Sequence, residues 1–161
     1  MTAYPDTSFL CGIYRQQDNS KLAAAYFRRM PEPLHVSSLL LFEFRQSLRF
    51  QVWLHAQDPR KGFSKRESDL ALSDLESDLR QGAVVVISAE WAGVHVQAED
   101  LSRKHTMGKG HRSFDLLHIA TALHLKAPVF LSFDGRQREL AQAEGMTVRP
   151  SNYSIARATR E

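Results

Sequence analysis

Four carboxylates carry the chemistry this sequence is able to do. Asp6 closes the short apolar opening Ala3-Tyr4-Pro5 and precedes Thr7-Ser8. Glu43 sits among Leu40, Leu41, Phe42 and Phe44. Asp115 opens the run Leu116-Leu117-His118-Ile119-Ala120, and Asp134 follows Val129-Phe130-Leu131-Ser132-Phe133. Carboxylates are seldom buried unless paired or bound to a metal, and each of these adjoins sequence apolar enough to be core. Gathered in one cavity they would repel one another and raise some of their pKa values. A divalent cation relieves that repulsion. Magnesium and manganese favour carboxylate and water oxygens, and such an ion lowers the pKa of a bound water, which suits phosphodiester hydrolysis. Each acid alone has a plainer reading. Asp6 and Asp115 fit as helix N-terminal acids favoured by the helix dipole, Glu43 as a half-exposed helix residue, and Asp134 as a turn residue before Gly135. Their conjunction at compatible positions is what points to a site.

Other chemistries find little support. No His-Glu-x-x-His pair, Walker loop or Gly-x-Gly-x-x-Gly motif is present. Ser8 stands where a phospho-aspartyl phosphatase would need a second Asp. The single Cys11 excludes an internal disulfide and a cysteine zinc site, and reads as a small buried residue. His118, one turn beyond Asp115, reads as a hydrogen-bonded core histidine. Trp53 and Trp91 read as core or interface residues rather than platforms for bases.

The elements that must position the acids alternate between strand and helix. Strands are expected at Ala3–Asp6, His35–Ser37, Ala83–Ile87, Val129–Phe133 and Thr147–Arg149. The Val-rich run Ala83–Ile87 reads as a strand covered on both faces. Helices are expected from Thr7 or Ser8, from a Ser20 cap to about Arg29, and from Ser38 to about His55. Further helices follow from the Ser64/Glu67 capping box to Gly82, over Glu90–Lys104, over Phe114–Lys126 with Ser113 as cap, and over Gly135–Ala143. His105–Arg112 reads as a polar loop made mobile by Gly108 and Gly110. The alternation predicts a parallel sheet with helices on both faces, and such sheets bind ligands beyond the carboxyl ends of their strands.

A chain of 161 residues, 43% hydrophobic and 24% charged, suits one domain with one core. Its apolar runs fall far short of the roughly 18 residues of a membrane span. No secretory signal is visible, and a reducing cytoplasm is the expected compartment. A net charge of +3 permits an anionic partner without demonstrating one.

At these residues the sequence resembles the PIN-domain family, specifically the toxin ribonucleases of VapC type. The match runs through Tyr4-Pro5-Asp6-Thr7-Ser8, Leu41-Phe42-Glu43-Phe44, Phe114-Asp115-Leu116-Leu117-His118-Ile119-Ala120-Thr121-Ala122, Phe130-Leu131-Ser132-Phe133-Asp134, and the closing helix with Gly145. It departs at Pro5, at Ser132 where Thr is commoner, and at Gly135-Arg136, where no further acid follows. The resemblance implies a three-layer α/β/α fold with a central parallel sheet over residues 1–150, with 151–161 as a tail. It implies a Mg2+- or Mn2+-dependent single-strand endoribonuclease, hydrolysing RNA by a metal-activated water and probed by Asp6→Asn. Asp6, Glu43, Asp115 and Asp134 would be the catalytic, metal-holding set, with the Thr7, Ser8 and Ser132 hydroxyls orienting them. A homodimer and a small antitoxin partner are implied as well. In that setting Arg103, Lys104, Lys109, His111 and Arg112 are the expected RNA contacts, whereas Arg60, Lys61, Lys65 and Arg66 read as solvated surface. The alternatives are a housekeeping or structure-specific nuclease of the same fold, and a non-catalytic scaffold that binds RNA or protein.

Overall fold

In a computed structural model of the chain, residues 1–151 are described. The elements in order are β1 (Ala3–Pro5), α1 (Thr7–Tyr14), α2 (Ser20–Phe27), β2 (Leu34–Ser37), α3 (Ser38–Gln57), α4 (Lys65–Gln81) and β3 (Val84–Ile87). Next come α5 (Trp91–Leu101), a π-helical turn (Ser102–Thr106), α6 (Met107–Lys109), α7 (Ser113–His124), β4 (Val129–Leu131), α8 (Gly135–Ala143) and β5 (Thr147–Arg149). The fold is the expected mixed α/β alternation with parallel strand pairing. Two compact units divide it, one of residues 1–9 with those from Ser88 onward, the other of residues 10–87.

In the first unit β4 is the middle strand, with β1 and β5 on its flanks. Ala3 pairs with Val129 and Val129 with Thr147, both parallel. Tyr4, Phe130 and Leu131 have no solvent exposure, as expected for short parallel strands buried on both faces. Ile119, Ala120 and Ala122 of α7 are equally buried, together with Val94 of α5. Phe9 and Phe133 stack at 5.7 Å and 15°. Helix α5 lies close on α7 because Gly93 has no side chain: a Cβ there would stand 2.7 Å from His124 Cε1.

In the second unit β2 and β3 pair in parallel, Leu34 opposite Val84. Ser37 caps α3 by accepting the Leu40 N–H. The Ser64/Glu67 capping box is present, and Gly82 closes α4 in the left-handed conformation at φ 75°. Leu40, Phe44, Leu48 and Leu75 are fully buried. Tyr14 lies against Phe44 at 5.7 Å and donates to Asp78 Oδ2 at 2.8 Å. Burial, and then the bond to Asp78, push its phenol well above the usual range. Tyr14→Phe removes that bond, so a loss of about 1 kcal/mol is expected in urea unfolding.

Four local expectations are corrected. Ser20 is the first residue of α2, not its cap; its hydroxyl accepts from the Gln17 N–H and donates to the Arg15 carbonyl. Strand β3 is not covered on both faces, since Val86 is 50% exposed. Residues 105–109 are helical rather than a mobile loop: the chain continues from α5 through the π turn into α6, and Gly110, at φ 66°, is what stops it. The cap position of α7 is Arg112, with Ser113 already helical. The tail expected at 151–161 falls, apart from Ser151, outside the described residues.

Candidate active site

Asp6 emerges from β1, where its N–H donates to the Leu131 carbonyl at 2.9 Å and so ties it to the end of β4. Its side chain is surrounded by donors. Oδ1 accepts from Ser8 Oγ at 2.6 Å and from the Phe9 N–H at 2.9 Å. Oδ2 accepts from Ser132 Oγ at 2.6 Å. The Phe9 bond is that of a helix cap, so the plainer reading of Asp6 is partly realised. Capping alone does not account for the residue. Glu67, an exposed capping acid, has its pKa lowered by its Ser64 bonds. Asp6 has no exposure, and its pKa is pushed up to about 6 by burial, against the pull of Ser132, Ser8, Phe9 and His118. Desolvation therefore outweighs three hydrogen bonds.

Ser132 and Ser8 join Asp6 to the segment that carries Asp134. Ser132 Oγ accepts from the Asp134 N–H at 2.9 Å, and Ser8 Oγ accepts from the Phe133 N–H at 2.8 Å. Asp134 is half-buried and caps α8, its Oδ1 accepting from the Gln137 N–H at 2.9 Å. The carboxylate of Asp134 thus serves the local turn, while its backbone N–H reaches the Ser132 hydroxyl that bonds Asp6. Asp115 is half-buried at the third position of α7. One turn on, His118 is fully buried, as expected of a core histidine, with Nε2 3.5 Å from Thr7 Oγ1. That contact turns the Asp115 face of α7 toward the start of α1. Glu43 is half-buried in the second turn of α3, in the other unit.

A ready-made four-carboxylate cage is not formed. Among the described residues, no group of three or more His, Cys, Asp or Glu side chains stands in position to hold a metal ion. What the structure joins is the Asp6 carboxylate and the backbone amide of Asp134, through Ser132 Oγ.

The basic stretch is also changed by the structure. His111 is only 8% exposed and lies edge-on to His105 at 6.4 Å. Burial lowers its pKa against the pull of Asp115. A buried, largely neutral imidazole is a poor phosphate contact, so His111 leaves the set of expected RNA contacts. Arg103 pairs with Asp100, Lys104 with Glu144 at 3.5 Å, and Lys109 with Glu139 at 3.2 Å. Such exposed pairs contribute about 0–1 kcal/mol, so phosphates can compete for these cations. Arg112 is exposed.

One residue was not suggested by the sequence. Arg138 of α8 is 7% exposed; its Nη1 donates to the Ser132 carbonyl at 2.6 Å and its Nη2 to the Pro150 carbonyl at 3.0 Å. In a helix reading Gly-Arg-Gln-Arg-Glu, nothing distinguishes it from a solvated arginine.

Comparison with solved structures gives the same fold. The sarcin-ricin loop cleaving toxin VapC20 of Mycobacterium tuberculosis superposes with a TM-score of 0.61 at 20% identity, over 92% of this chain and 99% of that one. VapBC-1 of nontypeable Haemophilus influenzae gives 0.62 at 14% identity, over 92% and 97%. FitAcB of Neisseria gonorrhoeae gives 0.60 at 16%, over 92% and 96%. A search of curated protein sequences finds no match. The sequence model of the PIN domain matches residues 3–143, and on that match the chain belongs to the PIN domain family.

Proposed function

We propose that this chain is a divalent-cation-dependent endoribonuclease acting on single-stranded RNA, and the toxin of a toxin–antitoxin pair. Asp6 is the observation that carries the reading. A carboxylate with no exposure, whose pKa burial has raised to about 6, is a charge in want of a cation. Its setting is made of hard oxygen donors, which suit Mg2+ or Mn2+. Magnesium usually keeps several waters and takes one or two carboxylates from the protein, so the lack of a three-ligand cage among the described residues is compatible with it. Asp6 and Asp134 would hold the ion, with Asp115 acting directly or through water; Glu43 joins them on the family resemblance alone. When bound, the ion supplies charge neutralisation and a lowered pKa for an attacking water. The chain's own work is orientation: Ser8 and Ser132 fix both oxygens of Asp6, and Ser132 ties that carboxylate to the Asp134 amide. Arg103, Lys104, Lys109 and Arg112 are proposed to meet the RNA backbone. The same reading includes a small antitoxin, a homodimer and a cytoplasmic setting. No described helix is long and apolar enough to cross a membrane.

The test is purified protein with total RNA and Mg2+ or Mn2+, the cut ends mapped. Discrete cleavage that stops in excess EDTA is expected; full cleavage in EDTA, or none with either ion, defeats the proposal. Growth arrest on expression, relieved by the product of a neighbouring gene, separates a toxin from a housekeeping nuclease of the same fold. The non-catalytic scaffold is the alternative, and a Mn2+ titration that shows no binding would select it.

A further inference from the structure

We infer that Arg138 is a positioning residue for the site: its guanidinium fixes the Ser132–Asp134 segment that holds Asp6. The inference rests on the nuclease reading for its catalytic consequence, but its geometry stands apart from that reading. Ser132 is engaged at every polar atom. Its N–H donates to the Arg149 carbonyl at 3.1 Å, and its hydroxyl links Asp6 to the Asp134 amide. Its carbonyl accepts from Arg138 at 2.6 Å. The backbone N–H at 138 donates to the Asp134 carbonyl at 2.9 Å as the first-turn bond of α8, a bond that any residue there makes and that the side-chain variants below keep. The second arm of the fork reaches the Pro150 carbonyl just past β5. One rigid, planar group thereby spans the carboxyl ends of two neighbouring strands. Lysine offers a point charge on a flexible stem and has no such fork. The groups that shift Asp6 are its burial, Ser132, Ser8, Phe9 and His118. Arg138 thus acts on the carboxylate through Ser132 and is not itself a catalytic residue.

The test compares wild type, Arg138→Met and Arg138→Lys in the full chain, by RNA cleavage kinetics and by amide hydrogen exchange in NMR. For Arg138→Met, kcat is expected to fall at least ~tenfold with KM within about twofold, since misplacing a reacting group lowers turnover rather than binding. The Phe133 and Asp134 amides should exchange about tenfold faster, while those of Ile119 and Ala120 in the same unit stay as in wild type. Arg138→Lys, which keeps the charge, should lie between the two in both measurements and serves alone should the Met variant not fold. Unchanged exchange at Phe133 and Asp134, or equal acceleration throughout the unit, overturns the inference, as does a Lys variant identical to wild type. Should wild type fail to cleave RNA with either ion, the nuclease reading falls, and hydrogen exchange alone decides whether Arg138 holds the segment.

Discussion

Asp6→Asn is expected to abolish the proposed RNA cleavage and, without divalent ions, to melt at a higher temperature than wild type at pH 7.5. Both halves follow from the same burial. In the folded chain burial pushes Asp6 up to about 6, against 3.8 for an unperturbed aspartate. Below both values the carboxyl is protonated in the folded and unfolded states alike, and there is no penalty. As pH rises from about 4 to about 6, the unfolded chain releases its proton first, so the folded state loses ground. Above about 6 the loss is complete and constant, on the order of 3 kcal/mol. The amide carries no charge and escapes this loss. Its oxygen can accept from Ser8 and Phe9, and the Ser132 hydroxyl can rotate to accept from its NH2. A gain of about 6–12 °C at pH 7.5 is expected, vanishing below about pH 4. Magnesium or manganese should narrow the gap by stabilising wild type alone. Thermal melts from pH 3.5 to 8, with and without divalent ion, provide the check. An Asn variant that melts lower at pH 7.5 and keeps the wild-type pH slope would contradict the assignment of Asp6 as a buried charge whose desolvation outweighs its hydrogen bonds.

The largest loss of stability from a single added methyl should come at Gly62. This residue lies in the loop after α3 at φ 60°, with its backbone against the helix. A Cβ there would stand 2.0 Å from the Gln51 carbonyl oxygen and 3.1 Å from the His55 nitrogen. Both are backbone atoms of α3 and cannot swing aside. Gly62→Ala therefore adds left-handed strain of about 1 kcal/mol and forces the loop off the helix, for a total of about 3 kcal/mol. The expected fall in melting temperature is about 6–12 °C. Gly82→Ala is the matched control: φ is 75°, but nothing lies within 4 Å of its Cβ position. That variant should lose only the strain. Equal losses in the two would show that the contact with Gln51 is not what requires glycine at 62.

The sequence announced the parts of the fold that depend on neighbours along the chain. The Ser64/Glu67 capping box and the Gly82 stop are local chemistry and stand where expected. The order of the elements, and the motif around Asp115 and Asp134, were enough to suggest the family. Features set by distant packing were not legible. Gly108 and Gly110 look alike in sequence, but only Gly110 takes a left-handed conformation, while Gly108 sits inside helical backbone. The run Ala83–Ile87 is apolar throughout, and apolarity alone does not reveal that Val86 faces outward. Arg136 and Arg138 are two residues apart on α8, the first exposed and the second buried. His111 carries the same blindness: it is charged surface by composition and buried by structure. For Asp6 the sequence allowed either a cap or a site, and only its zero exposure shows that it is more than a cap.

The Asp6–Ser132 bond joins residues 126 positions apart, and β1, from which Asp6 emerges, pairs with β4. During synthesis on the ribosome, Asp6 therefore has no Ser132 hydroxyl to bond until the polymer has grown past position 132. A truncated product ending before Ser132 cannot assemble the pocket.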